Sequence, residues 1–355
     1  MAKSPSVLEY KCPCCDAGLT FGEAQQKLTC DSCGNEFEFD AVVEYNRIPE
    51  DLTEPDFTWE ESQKDAEPLP YQCPSCGGLI EYDDHTAATF CPYCDNPIIL
   101  PERVTAVLKP DAVIPFKTTK VQAQEKFRGL CKGKPLLPKD FLTENKLESI
   151  TGYYVPFWLY NCGSSADAKF RATRVHHWSD SNYNYTKTDY YLLTRAANAQ
   201  FESIPLDGSS KMNDAVMESI EPYDYTQLTD FDPAYLSGFL ADKYDVEAKD
   251  GEGRIRERVG NTMDDMLMAS CIGYHTVLPT GRNLKIRHSK ASYVLLPLWL
   301  LTVKYKEKDY HFAMNGQTGK MTGTLPICPK RTAAWFGGIF AAAAALVTAV
   351  QMLLF

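Results

Sequence analysis

Basic residues are scarce in the first 100 residues of the chain, which contain five Lys/Arg against 20 Asp/Glu. This part carries a net charge of −15, and because the whole chain carries −11, the remainder carries +4. Binding to the phosphate backbone of a nucleic acid requires a basic surface that displaces condensed counterions. The acidic N-terminal part presents the opposite field, so we do not expect nucleic acid to be a partner there.

An apolar segment is missing from residues 1–13, where a secretory signal peptide would have its hydrophobic core. We therefore expect the folded part of the chain to stay in the cytoplasm, where thiols remain reduced, and the 13 cysteines not to form disulfides. The same absence argues against a cleaved lipid-anchor signal, because that route begins with export.

Known catalytic motifs are absent as well. The sequence has neither HExxH nor GxSxG, and residues 316–320 read GxxGK instead of the phosphate-binding GxxxxGK[ST]. The adjacent histidines 176 and 177 would point to opposite faces of a strand and cannot hold one ion together. We expect no enzymatic activity. The alternative is an enzyme with a site in the α+β domain, since catalytic residues need not be sequence neighbours. Its candidate residues are Tyr153, Tyr154, Trp158, His176 and His177.

Charge is absent from residues 333–355. As a helix this 23-residue apolar run would be about 34 Å long, enough to cross a hydrocarbon core of about 30 Å. Trp335 and Phe336 suit the membrane interface, and Lys330 and Arg331 place the preceding flank in the cytoplasm by the positive-inside rule. The pattern predicts a single-pass cell-membrane protein, anchored at its C-terminus, with the bulk of the chain cytoplasmic. A buried core helix is the alternative, although such helices are usually shorter and amphipathic.

The sequence is rich in paired cysteines. Eight cysteines form two copies of C-x2-C, fourteen residues, C-x2-C, and the second copy repeats the first at an offset of 61 residues. Two residues between cysteines let both thiolates of a tight turn face one ion, and two such turns complete a tetrahedral shell of four sulfur ligands. The spacing predicts two structural Zn²⁺ ions, with iron–sulfur as the alternative. The predicted metal ligands are Cys12, Cys15, Cys30, Cys33, Cys73, Cys76, Cys91 and Cys94.

Turn-forming residues follow the second cysteine of each pair, where we expect backbone with positive φ. These residues are Asp16, Gly34, Gly77, Gly78 and Asp95. A further cysteine, Cys14, lies inside the first pair. We interpret it as an exposed spare thiol, with a redox-sensitive thiol as the alternative.

Beyond the cysteines the pattern changes to that of a mixed α+β domain. Helical spacing and helix-end signals predict helices over residues 120–131, 233–244 and 253–271. Alternation predicts a hairpin of strands 166–178 and 189–204, with its turn at residues 179–184. Further strands are predicted over residues 152–159, 292–305 and 309–314, and Asn315-Gly316 is a hairpin-turn signal.

The run VPFWL at residues 155–159 recurs as LPLWL at residues 296–300, through either an internal repeat or a shared packing requirement. The predicted fold is two small β zinc ribbons followed by a mixed α+β domain and one C-terminal transmembrane helix. The predicted segments are zinc ribbon 1 at 1–45, an acidic Pro-containing linker at 46–70, zinc ribbon 2 at 71–103, the cytosolic α+β domain at 104–330 and the transmembrane helix at 331–355.

Five segments, together with the terminal helix, resemble the bacterial membrane proteins that carry a transcription factor IIB-type zinc ribbon. The segments are KCPCCDAGLTF, CPYCDNP, VPFWLY, DGSSKM and FAMNGQTGK. The resemblance extends from Lys11 to the terminal helix and implies zinc ribbons without any known catalytic residue. Some similar proteins are encoded beside SPFH-domain and phage-shock protein A homologues, which implies partners of those types in a membrane-stress response. The transcription label describes the ribbon fold, and a fold does not determine function.

The sequence therefore favours a membrane-tethered zinc-ribbon adaptor or scaffold. Its ribbons would bind proteins at the cytoplasmic membrane face, and its C-terminal helix would contact the lipid bilayer. A membrane-bound nucleic-acid-binding or transcription-related factor is the second hypothesis. That hypothesis requires a basic ribbon face, which residues 1–100 do not supply.

Overall fold

The computed structural model describes residues 8–46, 71–80, 82, 85–100, 109–142, 150–306 and 308–354. The predicted acidic linker lies outside these residues apart from Asn46, and so does the predicted boundary between residues 103 and 104.

Within the described residues the chain forms α-helices, short 3-10 turns and β-strands. The helices are α1 Phe39–Tyr45, α2 Lys120–Cys131, α3 Asp214–Ile220, α4 Glu252–Ala269 and α5 Pro329–Leu354. The 3-10 turns are Lys139–Leu142, Tyr225–Gln227, Pro233–Leu236 and Ala248–Gly251. The N-terminal strands are β1 Thr20–Gly22, β2 Lys27–Thr29, β3 Glu36–Phe37, β4 Tyr71–Gln72, β5 Leu79–Ile80, β6 Thr86–Phe90 and β7 Pro97–Ile99. The later strands are β8 Ala112–Val113, β9 Ile150–Ser179, β10 Asn184–Asp207, β11 Thr229–Asp230, β12 Leu240–Asp242, β13 Thr276–Tyr305, β14 Lys308–Asn315 and β15 Met321–Gly323.

Three long strands dominate the fold. β9 and β13 each have 30 residues, β10 has 24, and β9 pairs antiparallel with both of the others. Both outer strands change register at the same level of β9, opposite Asn161 and its neighbours. Beyond that level the three strands continue as an extension that we call the β-arm, residues 162–201 with 276–287. The predicted hairpin is confirmed. Its strands run further than predicted because inter-strand pairing continues through polar segments that lack a hydrophobic pattern.

Helix α4 covers one face of the β-arm. Its buried residues Ile255, Val259, Met263 and Leu267 recur every four positions and form one apolar stripe. They pack on alternate, mostly small residues of β9, which are buried on the same face of the sheet. The helix predicted for residues 253–271 is thus confirmed to within two residues at its C-terminal end, and α2 matches its predicted range of 120–131.

The helix predicted for residues 233–244 is wrong. Asp232 Oδ1 accepts a hydrogen bond from the Ala234 N–H at 2.8 Å and starts only a 3-10 turn, which ends at Leu236. Gly238 follows with φ +89°, and a Cβ there would lie 3.0 Å from Thr20 Cβ. Because this left-handed backbone cannot continue a helix, the chain turns into β12.

Strand β12 joins the N-terminal part to the long strands. It runs parallel to β9 on one side and antiparallel to β6 on the other. β6 and β7 therefore belong to a ten-stranded sheet, whose main order is β11-β8-β13-β9-β12-β6-β7. Outside this order, β10 pairs with β9, and β14 pairs with both β13 and β15.

Strands β13 and β14 form a hairpin near the end of the described chain. The predicted strand 309–314 is confirmed as β14, whereas β13 begins 16 residues earlier than predicted. The Asn315-Gly316 turn leads into β15, as a hairpin signal predicts. The two similar runs, VPFWL and LPLWL, pair directly with each other, since Val155 lies opposite Leu296.

Helix α5 is long and apolar enough to cross a membrane. An 18-residue stretch within Pro329–Gln351 has a mean hydropathy of 1.9, and 0% of this stretch is buried against the rest of the protein. A helix in the core of a soluble domain would be mostly buried, so the packing of α5 does not fit the core-helix alternative.

An aromatic cluster lies at the centre of the main core. Phe116 is fully buried, stacks on Phe239 at 4.3 Å between ring centroids, and meets Tyr154 and Trp299 edge-on. Phe116→Ala should lower the free energy of unfolding by about 3–5 kcal/mol, because a cavity replaces the ring. Val121→Ala, at an exposed position of α2, should change it by less than about 0.5 kcal/mol. Denaturant titration of the detergent-solubilised chain measures both, and equal effects would contradict this packing.

Candidate metal centres

Four similar turns hold the eight predicted ligands. In each turn a C-x2-C pair lies between two chain segments that pair antiparallel. The flanking segments are the Lys11–Gly18 bridge, β2 with β3, β4 with β5, and β6 with β7. Local hairpin pairing thus brings the two cysteines of each pair to one tip.

The backbone hydrogen bonds repeat in all four turns. At Cys12 the N–H donates to the Ala17 carbonyl at 2.8 Å, and the Asp16 N–H donates back to the Cys12 carbonyl at 2.9 Å. The same two bonds, at 2.8–2.9 Å, recur at Cys30, Cys73 and Cys91. The first cysteine of each pair is buried and the second is exposed.

Positive φ occurs where the sequence predicts it. Asp16 and Asp95 have φ of 61° and 60°, while Gly34 and Gly77 both have φ of 72°. Gly78 differs, because it is not among the positive-φ residues. A Cβ there would lie 2.6 Å from the ring of Tyr93, so this position needs glycine for close packing instead.

The turns bring their thiols together as two groups of four, which we call the four-cysteine groups. In the first group, Sγ–Sγ distances are 3.7 Å for Cys12–Cys33 and 3.4 Å for Cys15–Cys30. In the second group they are 3.7 Å for both Cys73–Cys94 and Cys76–Cys91. All four sulfur atoms of a group lie within 4.8 Å of one another.

These distances fit tetrahedral coordination of one ion by each group. With metal–sulfur bonds of about 2.3 Å, the edge of a tetrahedron of four sulfur atoms is about 3.8 Å. Both groups could therefore hold a metal ion through all four thiolates. Four protein ligands complete such a shell and leave no position for water or substrate, as in structural sites.

Backbone donors favour thiolates at two of the buried positions. Burial raises the pKa of Cys12, but N–H groups of Cys14 and Cys15 outweigh it and lower the pKa to about 7. At Cys91 burial is likewise outweighed by N–H groups of Tyr93 and Cys94, and the pKa is again about 7. The pKa of Cys15 shifts the other way, because the Ala17 N–H lowers it but the Cys30 thiol and burial outweigh that effect. Burial also raises the pKa of Cys94. Before a metal ion binds, the thiolate is therefore favoured at Cys12 and Cys91 and not at these partners.

The remaining cysteines lie outside both groups. Cys14 is exposed, as predicted, and its N–H donates to Cys12 Sγ at 3.4 Å. Cys131, Cys162 and Cys271 are buried at separate places in the core. Cys328 is half-buried just before α5.

The first module, residues 8–46, holds one four-cysteine group, and the second module, residues 71–80, 82 and 85–100, holds the other. The two modules touch each other through a polar contact that the sequence does not signal. Glu9 of the first module accepts hydrogen bonds from Ser75 Oγ at 2.7 Å and from Asn96 Nδ2 at 3.0 Å, both in the second. A backbone bridge between Leu8 and Ile99 adds to this contact. The modules therefore form one unit in which each four-cysteine group has a fixed position.

The first module also packs on the main domain. Tyr235 stacks on Phe39 at 4.4 Å and meets Phe21 edge-on at 5.3 Å. The Phe21 N–H donates to the Ser237 carbonyl at 2.9 Å, and Tyr10 Oη donates to Asp232 at 3.2 Å. A metal ion at the first four-cysteine group would therefore stabilise part of the domain core as well as its own turns.

The structure does not bring the alternative catalytic residues together. Tyr154 is fully buried in the main core, whereas His176 and His177 are exposed near the tip of the β-arm. Eighteen residues of continuous strand separate Trp158 from His176, which is roughly 60 Å of strand. His176 lies 3.6 Å from Asp189, and His177 contacts Thr186 at 2.9 Å, so neither histidine faces the aromatic core.

Other segments that carry the family resemblance make hydrogen bonds that hold loops against the long strands. In DGSSKM the Gly208 N–H donates to the Pro156 carbonyl of VPFWLY at 2.8 Å. In FAMNGQTGK the buried Asn315 side chain accepts from the N–H groups of Gln317 and Thr318 and donates to the Ile220 carbonyl. GxxGK is therefore part of a side-chain-stabilised hairpin turn.

Over 333 residues the chain is 33% identical to the uncharacterised protein YdjG of Bacillus subtilis (strain 168), and the match covers 94% of both chains. No protein-family model matches the sequence. No solved structure matches it either.

Metal content tests the two centres. The intact chain should carry two ions, and Cys30→Ser or Cys91→Ser should each reduce this to one, because a three-thiolate shell loses the ion. Cys14→Ser should keep both ions, since Cys14 belongs to neither group. Inductively coupled plasma mass spectrometry of the purified chain gives the number and the element. Two ions in Cys30→Ser, or a loss in Cys14→Ser, would contradict the assignment.

Proposed function

We propose that this chain, which belongs to the family of the Bacillus subtilis protein YdjG, is a membrane-anchored zinc protein that binds other proteins at the membrane face. The observation that carries the proposal is the pair of complete four-cysteine groups on a chain that ends in a helix whose apolar stretch is not buried against its own domain. The four-cysteine groups would make the modules rigid, and the apolar helix would anchor them at a membrane.

Zinc suits both centres. Four thiolates at tetrahedral spacing are the donor set of structural zinc, and zinc neither undergoes redox change nor needs a further ligand there. The turns around the cysteines match in all four places, which supports two small zinc-ribbon modules. In this role the metal stabilises short strands that have little core of their own.

Membrane anchoring follows from α5. Exposed Trp335 and Phe336 come within the first two turns of the helix, where aromatic residues are enriched at interfaces. Lys330 and Arg331 precede them and support a cytoplasmic position for the folded domain. The modules would then work on the cytoplasmic face.

The second module offers a surface for a protein partner. Leu79 and Tyr93 on this module are 58% and 69% exposed. Their places in β5 and in the turn between β6 and β7 put both beside the second four-cysteine group. Apolar and aromatic side chains held exposed on a rigid base are typical anchors of protein interfaces. From the family resemblance, the partners that we expect are SPFH-domain or phage-shock type proteins in a membrane-stress response.

Affinity purification from mild-detergent membranes tests this function. Leu79→Ser with Tyr93→Ser should keep both metal ions yet lose the copurifying partner, which mass spectrometry identifies, because the contact surface is removed without unfolding the module. Cys30→Ser with Cys91→Ser should lose the partner as well.

A matched control comes from the β-arm, where Tyr190 and Leu192 are 74% and 75% exposed. Tyr190→Ser with Leu192→Ser removes a similar apolar area and should leave partner recovery unchanged. Equal recovery with intact and altered modules would contradict the proposed function.

A further inference from the structure

An open cleft of about 360 Å³ lies where helix α2 ends and helix α5 begins. Its lining residues are Cys131, Gly133, Lys134, Pro135, Leu137, Pro138 and Arg331. Two of these residues are cationic, and none is acidic. The cleft is far in sequence from the four-cysteine groups and belongs to neither module.

Hydrogen bonds fix the walls of the cleft. The Cys328 N–H, just before α5, donates to the Leu136 carbonyl at 2.9 Å. Arg331 Nη1 donates to the Leu137 carbonyl, which holds the guanidinium at the rim. A guanidinium has five N–H donors, so this bond leaves further donors to face a ligand.

A third chain segment brings another cation to the same region. Tyr305, at the end of β13, donates from Oη to Asp140 at 3.0 Å, and its ring lies 5.5 Å from that of Phe141. Lys306 Nζ lies 5.1 Å from the centre of the Tyr305 ring. Lys306 is therefore held on the side of the domain that carries the cleft.

Charge on this side of the domain is mainly positive among the described residues. The cations are Lys132, Lys134, Lys306, Lys330 and Arg331, and the lysines are exposed. Asp140 lies on this side too, and Tyr305 donates to it. Lys304 and Asp309 lie opposite each other on β13 and β14 and offset each other's charge. The surface around the cleft thus attracts anions.

An exposed apolar residue points to the kind of anion. Ile327 is 65% exposed immediately before the contacts that fix α5. Together with exposed Trp335 and Phe336 on α5, it gives the cleft an apolar margin on the side of the helix. Basic side chains beside exposed apolar ones suit a membrane interface.

We propose that this cleft binds the phosphate headgroup of an anionic phospholipid. Lys134 and Arg331 hold the phosphate from opposite walls, and the neighbouring lysines raise the local attraction for negative lipids. The occupant follows from position, because an inserted α5 places its first turn, and so the cleft, at headgroup level. The inference rests on the proposed membrane anchoring and adds lipid selectivity to it.

Native mass spectrometry of the full chain tests this inference. The chain is purified in a mild detergent and mixed with equal amounts of POPG and POPC. The intact chain should retain POPG in preference to POPC. Lys134→Ala with Lys306→Ala should reduce that preference by about five-fold for each lysine removed. Both residues are exposed, so the fold and the metal content should not change.

The matched control is Lys169→Ala with Lys285→Ala, at two exposed positions of the β-arm. This variant removes the same charge and should keep the POPG preference. A preference that is absent in the intact chain, or reduced equally in the control, would overturn the proposal. Complete displacement of POPG by inorganic phosphate would also overturn it, because the cleft would then be a site for the free anion.

Carbonate extraction of membranes from the same cells separates the two proposals. A chain that carbonate releases would contradict membrane anchoring itself. A chain that stays inserted without any preference for POPG would contradict only the lipid site.

Discussion

The antiparallel hydrogen bonds between β9 and β13 run from the pair Ile150–Leu301 to the pair Thr173–Thr276, and the other parts of the fold are attached along them. Near the Ile150 end, β12 pairs with β9 and connects the sheet to β6 and β7. The same end of β13 leads through Tyr305 to the cleft and the start of α5. At the other end the strands extend away as the β-arm. A change of register in this one pair would therefore shift the cysteine modules relative to the terminal helix.

The cysteine modules and the terminal helix are attached to the sheet near the same end of β13. β12 lies beside Tyr153, which pairs with Leu298, and only seven residues of strand separate Leu298 from Tyr305. At about 3.3 Å per residue, this is roughly 23 Å. The two cysteine modules are thus attached near the end of β13 that leads to the terminal helix. The basic residues around the cleft belong to later segments of the chain than the cysteine modules.

Local patterns in the sequence predicted what depends on local physics. The C-x2-C spacing predicted both four-cysteine groups, since two cysteines in a tight turn meet whatever the rest of the chain does. Helical spacing predicted α4, and the uncharged apolar run of residues 333–355 predicted a membrane-spanning helix, where the structure has α5, a helix long and apolar enough to cross a membrane. Positive φ at Asp16 and Asp95 followed from their place in the turns.

Features that depend on distant contacts could not be predicted in this way. Residues 233–244 carry helix-compatible residues, yet the approach of Thr20 to Gly238 and pairing with β9 make them a turn and a strand. The contact of Glu9 with Ser75 and Asn96 has no sequence signal, because each residue is ordinary in its own segment. The length of the β-arm was also underestimated, because β13 begins 16 residues before its predicted start, and this polar stretch pairs with β9 without a hydrophobic pattern of its own.

Photo-crosslinking in intact membranes tests most directly whether the metal modules contact other proteins. A photoreactive amino acid placed at Tyr93 should form adducts with a defined partner, and these adducts should disappear when Cys91→Ser removes the second metal shell. The same amino acid placed at Tyr190 in the β-arm should not form these adducts. Identical adducts from both positions, or adducts at Tyr93 that persist in Cys91→Ser, would contradict the account.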